Sequence, residues 1–97
     1  MLKIYYEKRN NIGTYFSFKY RKNNEIPCII YNKNENIKIY INKKYLIYIK
    51  NNYNNNKREL LLINNNLIYK VYIKEIQIHP INNLIIHIDF LIINKHS

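Results

Sequence analysis

Residues 77–90 read QIHPINNLIIHIDF, and this stretch carries the strongest indication of how the chain folds. Pro80 disfavours helix in the residue before it and cannot donate to a sheet ladder, so a strand ends just ahead of it. The pair Asn82-Asn83 is typical of a turn. Residues 84–93 then form the last and longest strand. The stretch therefore predicts two strands joined across a turn.

Alternation along the last strand separates an apolar face from a polar one. Leu84, Ile86, Ile88 and Phe90 share one face, and the last three are predicted to lie in a barrel core. His87 and Asp89 share the other face, ~7 Å apart along the strand. If the strand that starts near Val71 pairs antiparallel with this one, two more polar side chains come close to His87. We therefore predict a polar patch of Gln77, His79, His87 and Asp89.

The remaining sequence predicts several short strands and one helix. Strands are indicated at residues 2–6, 37–42, 59–63 and 67–78, with a further apolar run at 26–31. Asn42 can cap a helix over 43–52, whose apolar face holds Leu46, Ile49 and Tyr53. Asn64 to Asn66 suit a tight hairpin, and residues 7–20 are predicted to be a loop with one helical turn. This pattern indicates a mainly β protein, and a β-barrel in particular.

Composition narrows the class of protein. Ninety-seven residues suffice for one domain, predicted to span 1–97, and the net charge of +10 suits a polyanionic partner. A single cysteine, Cys28, rules out an internal disulfide. No apolar run approaches the ~20 residues of a membrane span, and no secretory leader is evident. We expect no membrane partner, no small-molecule substrate and no cofactor.

A second candidate surface is basic and aromatic and lies near the N-terminus. In RNA-binding proteins, Lys and Arg contact phosphates and aromatic rings stack on bases. The planar guanidinium of arginine can also donate two parallel hydrogen bonds to one phosphate. The alternative is a solvated surface whose aromatic side chains plug the end of the barrel. The candidate RNA-binding residues of this surface are Arg9, Ser17, Lys19, Tyr20 and Arg21.

Four interpretations of the polar patch remain open. His and Gln can contact phosphates, 2′-hydroxyls and base edges of RNA. Two His and a carboxylate could bind zinc or iron, although no metal site is expected. A catalytic pair of His87 and Asp89 lacks a nucleophile, because Cys28 lies within an apolar run. Finally, Asp89 could simply hold the hairpin in shape. With one glycine and no phosphate loop, the chain is not expected to be an enzyme.

Three sequence elements together resemble the bacterial ribosomal protein L-twenty-five family, which includes the general stress protein CTC. They are the run from Arg21 through Glu25-Ile26-Pro27 to Tyr31, then Lys74-Glu75-Ile76-Gln77 followed by His79-Pro80, then His87-Ile88-Asp89-Phe90. The resemblance extends from about Lys3 to Ile93. It implies a six-stranded β-barrel with two or three short helices, in the single-domain form. It also implies binding to 5S ribosomal RNA in the central protuberance of the large subunit.

The resemblance assigns roles by position. Arg9, Ser17, Lys19 and Arg21 match basic N-terminal RNA contacts, and Tyr31 matches a tyrosine beside the RNA face. The strand-borne RNA contacts of the family correspond to Lys74, Gln77, His79, His87 and Asp89. Phe18 and Ile78 stand where the family usually has arginine, and Asn32 where it usually has glycine. At least two charged contacts are therefore lost, which would lower the salt dependence of RNA binding.

Two functions follow as hypotheses. The first is a structural constituent of the ribosome that binds 5S or large-subunit ribosomal RNA beside neighbouring ribosomal proteins. The alternative is a protein-interaction module of an organellar ribosome that has lost its direct 5S contact. The Ile, Asn, Lys and Tyr bias indicates an AT-rich genome, and the lost charges indicate a relaxed ribosome. A mitochondrial location is therefore predicted first and a plastid second, ahead of the bacterial cytoplasm.

Overall fold

The protein is a closed β-barrel with one short α-helix in the part of the chain that the structure describes. A computed structural model describes residues 1–8 and 24–96, with side chains described up to residue 93. The strands are β1 (Lys3–Lys8), β2 (Glu25–Tyr31), β3 (Asn36–Asn42), β4 (Glu59–Asn64), β5 (Leu67–Ile78) and β6 (Ile85–His96). The predicted six-stranded barrel is confirmed.

The strands close in the order β1-β3-β2-β6-β5-β4. Two of the six pairings are parallel, β1 with β4 and β2 with β6, and the others are antiparallel. The first strand runs two residues beyond its predicted end at Tyr6. Each strand sends alternate apolar side chains inward, as a period of two requires. Fully buried examples from neighbouring strands are Ile30, Ile88, Phe90, Val71 and Ile73.

The helix covers the core with the face that the sequence predicts. Asn42 caps a 3-10 turn at Lys43–Tyr45, its side-chain oxygen accepting a hydrogen bond from the backbone nitrogen of Lys44 at 2.9 Å. Helix α1 follows directly at Leu46–Asn54 and buries Ile49 completely. It extends two residues past its predicted end. Asn56 then adopts a left-handed conformation at φ 61°, which asparagine tolerates and which ends the helix.

Asparagine also makes the turns between strands. Residues 65 and 66 form a two-residue loop between β4 and β5, and Asn65 has φ 53°, as the hairpin prediction requires. In the turn between β5 and β6, Asn83 has φ 60°. Its backbone nitrogen donates to the backbone oxygen of His79 at 3.0 Å. The strand–turn–strand prediction for residues 77–90 is confirmed.

Register shifts between β5 and β6 alter part of the predicted alternation. Ile78 pairs with Ile85, whereas Gln77 pairs with His87, so Ile86 is the extra residue of a bulge. Ile85 consequently packs against the core, while Ile86 is only half-buried and Leu84 is 62% exposed. Placing Leu84 and Ile86 on the core face was therefore wrong. The core positions of Ile88 and Phe90 are confirmed.

A buried pair of tyrosines gives the stability of the barrel a pH dependence. The rings of Tyr6 and Tyr69 lie 6.5 Å apart between centroids. Burial, and secondarily the nearby Tyr69, raises the pKa of Tyr6 to about 12. In the unfolded chain the hydroxyl ionises near its usual value of about 10, so alkaline pH favours unfolding.

We expect the stability of the unmodified protein to fall more steeply above pH ~10 than that of Tyr6→Phe. The difference in the free energy of unfolding should reach about 1 kcal/mol near pH ~11, measured by urea titration. Tyr48→Phe, which changes an exposed ring, is the control. Identical alkaline slopes for the unmodified protein and Tyr6→Phe would contradict this account of Tyr6.

The described residues include no helix that is both long enough and apolar enough to cross a membrane.

Candidate nucleic-acid interface

Five of the predicted RNA-binding residues lie together on the outer face of three neighbouring strands. Strand β6 lies between β2 and β5, and their outward side chains form one surface. We call these residues the polar strip: Tyr31, Lys74, Gln77, His87 and Asp89. Gln77 and His87 are directly paired across β5 and β6, and the sequence predicts that Gln77 comes close to His87. Ile88 and Phe90, which alternate with His87 and Asp89 along β6, point into the core on the other side of the sheet.

A bulge in β5 positions the cation of the strip. Ile73 pairs with Phe90 and Glu75 with Asp89, so Lys74 has no opposite residue on β6. Lys74 and Glu75 are consequently both exposed, while Ile73 is buried. The Lys74 ammonium lies 4.8 Å from the ring centroid of Tyr31 on β2. This cation–π contact holds a positive charge over the middle of the surface.

His87 and Asp89 form a contact pair within the strip. The Nδ1 atom of His87 lies 3.2 Å from an Oδ1 oxygen of Asp89, although the two residues stand two positions apart on one strand. Asp89 is only 8% exposed, and among the described residues it is the charged residue that is buried. A carboxylate in this position fixes the orientation of the imidazole ring.

His79 lies in the turn between β5 and β6 and is not part of the polar strip. Its Nδ1 accepts hydrogen bonds from the backbone nitrogens of Ile81 at 3.2 Å and Asn82 at 3.5 Å. Its own backbone nitrogen donates to the oxygen of Leu84 at 2.8 Å. The histidine thus shapes the turn, and Nε2 is the ring atom left for an RNA contact. Register pairs His87 with Gln77, not with His79.

Further charges flank the strip on both sides. Lys38 on β3, Ile29 on β2, Asp89 on β6 and Glu75 on β5 form one row of paired residues. Lys38 is exposed, whereas Lys70, farther along β5, is half-buried. The two carboxylates lie toward β5, while lysines stand at both margins. The surface therefore combines hydrogen-bonding side chains with separated cations, which suits a polar groove bordered by phosphates.

Five predicted RNA-binding residues cannot be placed on this surface. Arg9, Ser17, Lys19, Tyr20 and Arg21 lie outside the described residues. Phe18, one of the two positions where the family usually has arginine, is also outside them. Ile78, the other, is described at the end of β5 and is 50% exposed.

The alternative chemistries receive no support from this geometry. Cys28 is fully buried in the core and lies on the opposite side of the sheet from the His87–Asp89 pair. Within residues 1–8 and 24–96, no three His, Cys, Asp or Glu side chains are grouped so as to hold a metal ion. The pair is best described as a positioning contact.

One cluster was missed by reasoning from the sequence. The guanidinium carbon of Arg58 lies 4.3 Å from the ring centroid of Tyr53 and 5.9 Å from that of Tyr72. An Nη1 donor of Arg58 also reaches the Tyr72 hydroxyl at 3.5 Å. The available signal was that Arg58 is an arginine in a chain rich in lysine.

Comparison with known proteins identifies the family. Residues 4–90 match the family model described as the Ribosomal L25p family. The large ribosomal subunit protein bL25 of Blochmanniella floridana is 38% identical over 94 residues, covering 92% of this chain and 90% of that protein. The bL25 protein of Azobacteroides pseudotrichonymphae is 37% identical over 98 residues, covering 93% of this chain but 47% of the relative. That of Buchnera aphidicola from Acyrthosiphon pisum is 32% identical over 92 residues, covering 94% and 97%.

The barrel is therefore that of a structural protein of the large ribosomal subunit, and not of an enzyme. The chain belongs to the Ribosomal L25p family. The resemblance seen in the sequence is confirmed, and so is the expected location in a ribosome. The relatives are bacterial, and they lend no support to the mitochondrial or plastid prediction.

Proposed function

We propose that the chain binds ribosomal RNA in a bacterial-type large subunit and that the polar strip makes the contact. The observation that carries the proposal is the arrangement of the strip itself. Gln77 and His87 are paired side by side on the outer face, and Lys74 contacts the ring of Tyr31 farther along the same surface. These groups can meet the 2′-hydroxyls, base edges and phosphates of an RNA minor groove.

The proposed partner is 5S ribosomal RNA in the central protuberance. The resemblance of the strip to the family's RNA face supports this choice, and the net charge of +10 supports a polyanion in general. Residues 1–97 would act as a single RNA-binding domain. Arg9, Ser17, Lys19, Tyr20 and Arg21 are proposed to extend the contact, and His79 to join it through Nε2.

The test is a fluorescence anisotropy titration with a bacterial 5S ribosomal RNA. We expect tight binding at low salt that weakens steeply as salt is raised, because phosphate contacts release counterions. The double variant Gln77→Ala with His87→Ala should raise Kd about tenfold, since it removes the paired polar contacts.

A matched control changes polar surface on another element. Asn51→Ala, on the exposed side of α1, should leave Kd unchanged. If binding is insensitive to salt and the double variant binds like the unmodified chain, the strip is not an RNA face. A protein-interaction module would then be the better description.

A further inference from the structure

We propose that Arg58, held between Tyr53 and Tyr72, is a second RNA-backbone contact, separate from the polar strip. The ligand class is a phosphate of structured RNA, met by a stacked guanidinium. This inference rests on the proposed function only in taking ribosomal RNA as the polyanion. We call the three residues the Arg58 cluster.

The geometry of the cluster is that of a pre-organised phosphate ligand. The guanidinium carbon lies over the Tyr53 ring at 4.3 Å, and an Nη1 donor reaches the Tyr72 hydroxyl at 3.5 Å, so two contacts restrict the positions that the guanidinium can take. A guanidinium carries five N–H donors, and the hydroxyl of Tyr72 uses one. An ordered planar fork loses little entropy on binding and can meet a phosphate through two parallel bonds.

The surroundings of the cluster are open and of mixed polarity, because Met1 and Leu2 share the cavity with polar side chains. Arg58 and Tyr72 line a surface cavity of about 1010 Å³, together with Asn52, Asn56 and Lys57. The amides can hydrogen-bond sugar and phosphate oxygens, and Lys57 is exposed. Glu59, paired with Tyr72 across β4 and β5, also lines the cavity and opposes an anion there. Its carboxylate supplies a variant with an effect of the opposite sign.

The position of the cluster favours RNA over an acidic protein segment. Tyr72 is on the outer face of β5, the strand that also carries Lys74 and Gln77, and it pairs with the exposed Leu91 of β6. Tyr72 and Gln77 are five positions apart on β5, which is about 16 Å along the strand. The cluster therefore continues the surface of the strip toward the other end of β5. An RNA helix seated on the strip could place a second stretch of backbone on Arg58.

The experiment measures Kd and its salt dependence for bacterial 5S ribosomal RNA by fluorescence anisotropy. Arg58→Gln should raise Kd about tenfold and lower the slope of log Kd against log salt by about one. Arg58→Lys should lie in between, because it keeps the charge but loses the fork. Glu59→Gln should tighten binding several-fold. Lys44→Gln, on the outer side of β1 and β3 beside Tyr5 and Glu7, removes the same charge and is the control.

The outcomes separate this proposal from the previous one. If Arg58→Gln has no larger effect than Lys44→Gln while Gln77→Ala with His87→Ala weakens binding, the Arg58 proposal is overturned and the proposal for the strip stands. The reverse pattern overturns the strip and supports the cluster. Thermal melts check folding, because Arg58 packs against two rings. If Arg58→Gln does not fold, Lys57→Gln and Glu59→Gln provide the test. A higher Kd for Lys57→Gln together with a lower Kd for Glu59→Gln supports the proposal, and unchanged values overturn it.

Discussion

Phe90→Ala should lower the free energy of unfolding by about 3–5 kcal/mol, the largest effect we expect from a single substitution. Phe90 is fully buried on β6, and its backbone neighbours are Ile30 on β2 and Ile73 on β5. Removing the ring leaves a cavity that three strands of a closed barrel cannot collapse around. Since domains of this size are stable by only about 5–15 kcal/mol, the variant should be near its unfolding limit.

Equilibrium urea unfolding measures this effect. Leu91→Ala, at the next position and 44% exposed, should cost less than about 1 kcal/mol and serves as the control. Phe90→Leu should fall between the two, because it keeps most of the apolar volume. Equal losses for Phe90→Ala and Leu91→Ala would mean that the ring is not part of the core.

Lys74→Glu should produce the largest loss of RNA affinity, raising Kd about a hundredfold at low salt. The substitution removes the cation held over Tyr31 and places another carboxylate beside Glu75 and Asp89. Phosphate would then meet a negative surface instead of a positive one. Lys74 has no opposite residue on β6 and its side chain is exposed, so the fold should tolerate the change.

The control is Lys44→Glu, which alters the net charge equally and lies on the outer side of β1 and β3 beside Tyr5 and Glu7. It should change Kd less than about threefold, because screening weakens charges beyond a Debye length of about 10 Å. Anisotropy titrations of the two variants against bacterial 5S ribosomal RNA make the comparison. Equal effects would show that affinity depends on overall charge and not on the position of Lys74.

Local sequence patterns predicted the elements of this fold well. Alternation identified β5 and β6, and Asn42 identified the start of the helical segment, because both signals depend on near neighbours in the chain. The proximity of Gln77 to His87 also followed, since one turn at a proline links the two strands, whereas their direct pairing depends on the bulge at Ile86. These features need only the period of a strand and the chemistry of a turn.

Features that depend on pairing between distant segments could not be predicted. The bulges at Lys74 and Ile86 arise from the register of two long strands, and no single residue in the sequence predicts them. The exposure of Leu84 follows from one of these shifts. The Arg58 cluster joins the end of α1 to β5, and only the closed barrel brings Tyr53 and Tyr72 to the same arginine.

The bulge at Lys74 also separates the residues of β5 that pack in the core from a residue that is available for binding. Ile73 faces inward, Lys74 and Glu75 face outward, and Ile76 packs against the core again. If residue 74 were removed, Ile73, Glu75 and Ile76 would alternate inward and outward as in a regular strand, so Lys74 is the inserted residue. Core packing therefore does not restrict the residue type at position 74, and the Lys74 side chain can contact only groups outside the barrel. If the polar strip binds RNA as proposed, substitutions of Lys74 should raise or lower RNA affinity without changing the fold.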